Sequence, residues 1–225
     1  MFRFLIVFCF FLLTAWPTQA QVKVDSTTRP AIYDARAGQF RSFPNSRRDI
    51  IFLGNSITAY GNWEELLGTR HAKNRGIPGD NTFGVLERLD EVIEGKPSKV
   101  FILLGINDVG RGFPDSMIIK NYQRIIRRIK LGSPRTKIFI HTLLPVNNTF
   151  KPALAHFNKD EHILAVNNGI KMLAVSENIT MIDLYTPFLD KDNRLDKDYA
   201  FDGLHLNGKG YLKWAELLKK GNYLK

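Results

Sequence analysis

The chain has 225 residues, enough for one globular domain with a sizeable core, and a formal charge of +10 from 32 Lys and Arg against 22 Asp and Glu. Its single cysteine, Cys9, leaves no cysteine pair for a disulfide framework and no thiol nucleophile beyond the first few residues. The charge admits acidic polysaccharide, anionic lipid or nucleic acid as a partner, but the basic residues are spread along the chain with no zinc-finger spacing or RNA-binding signature, so no nucleic-acid partner is expected.

Residues 1–20 read as a secretory signal: Arg3 supplies a positive charge, Phe4 to Leu13 an apolar core, and Thr18-Gln19-Ala20 a small-residue cleavage site. The run is too short to span a membrane, and Cys9 sits inside it rather than at its end, which argues against a lipid anchor. The expected location is therefore periplasmic or extracellular, with no stable membrane anchor. Residues 21–47 are polar, contain Pro30 and Pro44, and are expected to wrap the surface as an N-terminal arm ahead of a single domain over 48–225.

Apolar strands are expected at Ile50 to Gly54, Val100 to Gly105, Lys137 to Leu144 and Thr180 to Leu184, with a weaker one near Ala72 to Arg75. Amphipathic helices are expected at Asn62 to Leu67, Thr82 to Glu94, Asp115 to Leu131, Lys159 to Glu177 and Lys209 to Lys220. The densest basic group, Arg124, Arg127, Arg128 and Lys130, shares a segment with Ile118, Ile119, Tyr122, Ile125, Ile126 and Ile129 at helical spacing and reads as a solvated helix face. Continuous apolar strands separated by helices imply a parallel sheet covered on both faces, with ligands bound beyond the carboxyl ends of the strands.

Three strand ends then carry polar residues. Ser56 follows the first strand in Gly54-Asn55-Ser56. Gly79, in Gly76-Ile77-Pro78-Gly79-Asp80, follows the second and has no side chain to block its N–H. Asn107, in Gly105-Ile106-Asn107-Asp108, follows the third and can donate from its amide. Near the C-terminus, Asp202-Gly203-Leu204-His205 sets an acid three residues before a histidine. A serine hydroxyl is a poor nucleophile at neutral pH; an imidazole must take its proton and a carboxylate must orient the imidazole, so Ser56, His205 and Asp202 have the composition of a hydrolytic triad. Backbone N–H groups at Ser56 and Gly79, with the Asn107 amide, would then face a developing oxyanion. No metal is expected, because His71, His141, His156 and His162 are scattered and read as surface or satisfied core residues.

With these four ordered blocks, the sequence resembles the SGNH hydrolases, also called GDSL-like lipases and acylhydrolases, from about Asp49 to Trp214. Ser56, Gly79, Asn107 and His205 match the four block residues and Asp202 completes the triad. The resemblance implies an α/β/α three-layer sandwich with a flavodoxin-like five-stranded parallel sheet, metal- and cofactor-free ester hydrolysis, and an oxyanion hole from the Ser56 and Gly79 N–H groups and the Asn107 side chain. One departure is Asn55, where the family's first block usually has Asp.

The look of the chain is nearest to secreted carbohydrate acetylesterases, including sialate O-acetylesterase-like proteins, and to the platelet-activating-factor acetylhydrolase type. A small ester or O-acetylated carbohydrate is the expected substrate, with a lysophospholipase or thioesterase as the rival and a non-catalytic glycan binder as a third reading. Trp63, Phe83, Phe113 and Phe150 fall on or near the rim loops and could line an acyl or sugar pocket, although such aromatics also read as packing residues. The long 145–158 loop is the expected specificity loop.

Overall fold

A computed structural model describes residues 25–225; the expected signal, 1–20, lies outside the described residues. Strands β1 (Ile50–Gly54), β2 (Ala72–Gly76), β3 (Lys99–Leu103), β4 (Lys137–His141) and β5 (Thr180–Ile182) form one parallel sheet in the order β2-β1-β3-β4-β5. The chain leaves β1 for β2 on one side and returns to β3 on the other, so the topological switch point, where such sheets bind ligands, lies beside β1. The register levels these strands: Gly54 pairs with Gly76 and with Leu103, so the three loops that follow start at one height.

Side-chain alternation builds the two core layers. Phe52, Phe101 and Phe139 are register partners on adjacent strands and their rings stack in a row, at 5.0 Å and 4.6 Å between centroids. Trp63, in α3 (Trp63–Leu67), extends the row by stacking on Phe52 at 3.9 Å, and Trp214, in α9 (Gly208–Lys220), meets Trp63 edge-on. Neighbouring residues such as Leu53, Val100, Ile102 and Ile140 are equally buried and point to the opposite face. Helix α7 (Asp115–Gly132) packs against both α4 (Thr82–Arg88) and α8 (Asp160–Ser176) and buries Ile118, Ile125, Ile126 and Ile129, with Ile119 half-buried, while Arg124 and Arg127 stay exposed.

Several boundaries differ from expectation for local reasons. The helix expected over Thr82 to Glu94 divides at Leu89 into α4 and α5 (Asp90–Ile93). β4 stops at His141 because side chains take over its backbone partners: Asn167 Oδ1 accepts from the Leu143 N–H, and Thr142 Oγ1 accepts from the N–H groups of Leu184 and Tyr185. The 21–47 segment holds a helix that its polar composition did not announce, α1 (Tyr33–Ser42), whose Tyr33, Ala37 and Phe40 are buried with Ile77. Three side chains per two turns suffice to dock it, while its other face stays polar.

Candidate active site

Each strand end delivers its residue through a short helix or turn. Asn55 caps α2 (Ser56–Ala59) by accepting from the Ile57 N–H at 3.0 Å, which sets Ser56 at the first helical position directly after β1. Gly79 has φ +77° in the turn after β2, a conformation that favours glycine. Asn107 lies in α6 (Ile106–Gly110) after β3.

The fourth block comes from the loop before α9. An antiparallel bridge between Ala200 and Leu206 closes this loop, and Gly203, at φ +82°, turns the chain so that Asp202 folds back on His205. A side chain at position 203 would also strike the carbonyl oxygen of Asn147, which lies 2.4 Å from where its Cβ would stand. Asp202 Oδ1 accepts from the N–H groups of Leu204 and His205, and Oδ2 lies 2.6 Å from His205 Nδ1. His205 Nε2 is 2.9 Å from Ser56 Oγ, so acid, imidazole and hydroxyl form one continuous chain across 149 residues of sequence. Burial acts to raise the Asp202 carboxyl, but the hydrogen bonds from His205 and Leu204 outweigh it and hold it below the ordinary carboxylate range.

The Gly79 and Asn107 side of the site is built as firmly. Asn107 Nδ2 donates to the Asp80 carbonyl oxygen at 2.7 Å, which leaves its second N–H for a ligand. Among the described residues, no protein acceptor takes the Ser56 or Gly79 N–H. Beneath them lies a buried ionic cluster. Arg88, fully buried, donates to the Asp80 and Glu91 carboxylates and to the carbonyl oxygens of Gly54 and Arg75, so one guanidinium ties together the ends of β1 and β2 and the turn that holds Gly79. The arm seals this cluster: the Phe40 ring lies 5.0 Å from the Arg75 guanidinium and 5.7 Å from that of Arg88. Arg111 also donates to both Thr28 O and Gly79 O.

The expected aromatic lining fares unevenly. Trp63 is 1% exposed, with its indole N–H donated to Thr58 O, and Phe113 is 7% exposed; both are core side chains. Phe83 is half-buried and packs edge-on against Phe113. Phe150 is half-buried beside Gly203, with Lys197 over its ring. The rings that flank His205 are instead Tyr60 and Phe201, 52% and 57% exposed, with centroids 5.3 Å and 5.7 Å from the imidazole. Tyr60 also borders a cavity of about 600 Å³ whose walls include Arg36, Phe43 and Lys73.

Of the remaining histidines, His141 is a fully buried core residue, held neutral by burial with its titration pushed down to about 3. His156 departs from the expected surface or core role, because its Nε2 lies 3.0 Å from Asn107 Oδ1. Sequence reasoning also missed Arg88, which reads as one more helix-face cation, and Tyr60 and Phe201, which are single aromatics without spacing to mark them. The described residues contain no group of three or more His, Cys, Asp or Glu side chains arranged to hold a metal ion, and no helix among them is long and apolar enough to cross a membrane.

The GDSL-like Lipase/Acylhydrolase family model matches residues 52–213. The alpha2 subunit of platelet-activating factor acetylhydrolase IB from Homo sapiens is 30% identical over 171 residues, spanning 73% of this chain and 72% of that one. Among solved structures, one described as a platelet activating factor from Streptococcus pneumonia superposes with a TM-score of 0.78 at 30% identity, covering 86% of this chain and 92% of that one. An acetyl xylan esterase superposes with a TM-score of 0.65 at 25% identity, covering 77% and 98%. The five-stranded parallel sheet with helices on both faces is the fold of these SGNH/GDSL hydrolases. The chain belongs to the GDSL-like lipase/acylhydrolase family of hydrolases acting on esters.

Proposed function

We propose that this protein is an exported serine esterase that removes short acyl groups, acetyl foremost, from carbohydrate hydroxyls through an acyl-enzyme on Ser56. The observation that carries the reading is the unbroken Ser56–His205–Asp202 chain, at 2.9 Å and 2.6 Å, beside the Gly79 and Asn107 donors. His205 Nε2 takes the Ser56 proton as Oγ attacks the ester carbonyl. The Ser56 and Gly79 N–H groups and the free N–H of Asn107 hold the oxyanion, and Asp202 stabilises the imidazolium. His205 then protonates the departing alcohol, and water, activated by the same imidazole, releases the acid and restores Ser56.

The alcohol part of the substrate follows from that proton transfer. Its oxygen must meet His205 Nε2, so the alcohol lies beside the rings that flank His205. Tyr60 and Phe201 are half exposed there, and the cavity past Tyr60 gives room for neighbouring units of a larger alcohol. Flat aromatic faces beside polar groups suit the apolar face of a sugar ring. The acetyl xylan esterase likeness supports this class, and the acetylhydrolase relatives favour a second reading, an acetyl ester on a phospholipid. Export rests on residues 1–20 alone; N-terminal sequencing of protein recovered outside the cytoplasm should begin at Gln21.

The test is acyl release by wild type beside Ser56→Ala from acetyl, butyryl and palmitoyl nitrophenyl esters, O-acetylated glycans, an acetylated ether phospholipid and lysophospholipid. Serine-dependent release of acetate from glycan is expected. Preference for long chains would move the reading to a lysophospholipase, preference for the phospholipid to the second reading, and turnover without Ser56, or none, would sink it. Asp202→Asn should lower kcat by about 10⁴, because the imidazole loses its orienting acceptor.

A further inference from the structure

We infer that His156 is a positioning residue for the reaction: it fixes and polarises the Asn107 carboxamide, so that the free N–H of that amide is aimed at the substrate oxygen. The inference rests on the oxyanion role proposed for Asn107.

Hydrogen-bond bookkeeping leaves one arrangement. The Asp80 carbonyl oxygen, 2.7 Å from one end of the Asn107 amide, can only accept, so that end is the NH₂ group. The other end is therefore Oδ1, which also can only accept, and it faces His156 Nε2 at 3.0 Å. His156 must carry its hydrogen on Nε2. Among the described residues its Nδ1 is buried with no partner, which suits a bare nitrogen better than an N–H, since a buried unpaired donor is costly. Burial pushes the titration of His156 down, and the neighbouring His205 and Arg111 push the same way against Asp202, so the neutral ring is favoured.

The ring is also held mechanically. It packs on Gly110, where a Cβ would stand 2.7 Å from His156 Cδ2, and Gly110 belongs to α6, the short helix that carries Asn107. One helix thus presents both the amide and the notch for the ring that orients it. The start of the 145–158 loop is anchored by Asn147, whose N–H donates to Gly203 O and whose Nδ2 donates to Leu195 O, and near its end Phe157 is buried. The long loop expected to set specificity therefore delivers His156 to Asn107 and braces the turn between Asp202 and His205. With the Asp80 bond alone, the amide plane can rock about that contact. The second bond removes this freedom, and donation into Oδ1 strengthens the N–H donors at the other end of the amide.

The experiment compares His156→Gln with His156→Met, side chains of similar length of which only Gln can donate to Asn107 Oδ1, on nitrophenyl acetate with the mature protein. Removing a whole oxyanion donor costs about 10² to 10³ in kcat, so loss of its support should cost less, about tenfold for Met with KM little changed. Gln should recover to within about threefold of wild type. In an Asn107→Ala background both substitutions should be nearly silent, because the group they act through is gone. Equal kcat for Met and wild type, or a Met loss of the same size in the Asn107→Ala background, would overturn the inference. Ser56→Ala measured alongside separates the two levels: if turnover survives without the serine, the esterase reading fails, whatever position 156 does.

Discussion

Arg88 and Asp80 form an ion pair at 2.9 Å in which neither side chain has any exposure to solvent. Burial raises the Asp80 carboxyl and the Arg88 charge pulls it back, so the carboxylate depends on its partner. Because the same guanidinium holds Gly54 O and Arg75 O, Arg88→Lys, a point charge with three donors in place of a five-donor fork, cannot replace it. Lys keeps the charge beside Asp80 but leaves buried acceptors among Gly54 O, Arg75 O and Glu91 unpaired, at about 1 to 3 kcal/mol each, so stability should fall by about 2 to 5 kcal/mol and kcat with it as the Ser56 and Gly79 loops separate. Urea unfolding with parallel esterase assays measures both; a variant within about 1 kcal/mol of wild type would remove Arg88 from this role.

Asp108 gives a pH test with a definite sign. It is fully buried, accepts from the N–H and Oγ of Thr82, and burial pushes its titration up to about 6. A carboxyl raised above its unfolded value of about 3.9 favours the folded state only while protonated, so this contribution is whole below about pH 4 and lost as pH rises through about 6. Asp108→Asn keeps an acceptor for Thr82 and cannot ionise. Its melting temperature should match wild type near pH 4 and exceed it near pH 7; equal changes at both pH values would show that ionisation of Asp108 is not the cause.

The sheet and the contact of Asp202 with His205 were legible because each rests on a local pattern, and Ser56, 149 residues from His205, was placed with them by its position at the end of the first strand and by the family resemblance. Apolar runs such as Ile50 to Leu53 mark strands, and the acid three residues before His205 folds back through a single glycine turn. Gly79 and Asn107 were picked out by their places after the second and third strands together with the family resemblance, and the structure sets those two strands on either side of β1. Arg88 and His156 were not legible for the opposite reason. Asp80 and Glu91, the carboxylates that Arg88 meets, lie 8 and 3 residues away, but its hold on the Gly54 carbonyl 34 residues away, like the contact of His156 with Asn107 49 residues away, is encoded by nothing near either residue. Trp63 was legible in part: it belongs to the wall of the cavity past Tyr60, but rim proximity in sequence does not fix direction, and its ring turns inward to stack on Phe52.

Asn55 stands where the family's first block usually has Asp, and it is fully buried with its Nδ2 lacking a partner among the described residues. Asn55→Asp keeps the acceptor that caps α2 and replaces the stranded donor with a buried charge next to Ser56. The added anion stabilises the imidazolium that forms in the reaction, so the acidic limb of the pH–rate profile should move to higher pH while the plateau stays within about tenfold. An unmoved limb would mean that the introduced carboxyl stays protonated or lies too far from His205 to be felt.

Tyr60 and Phe201, which flank His205, allow the proposed alcohol side of the site to be tested apart from the chemistry. Both rings are more than half exposed, so truncating them removes contact surface without opening the core. If they stack on the sugar that carries the ester, Tyr60→Ala and Phe201→Ala should each raise KM for an O-acetylated glycan, by about 5- to 30-fold for a lost contact of about 1 to 2 kcal/mol. The small planar leaving group of nitrophenyl acetate takes up far less of that surface, so its kcat/KM should change by less than about threefold. A rise confined to glycan assigns the two rings to the alcohol. Equal losses on both substrates would mean that the rings act by holding His205 in place, and glycan recognition would then have to come from the cavity beyond, where Lys73→Ala is the next substitution to measure.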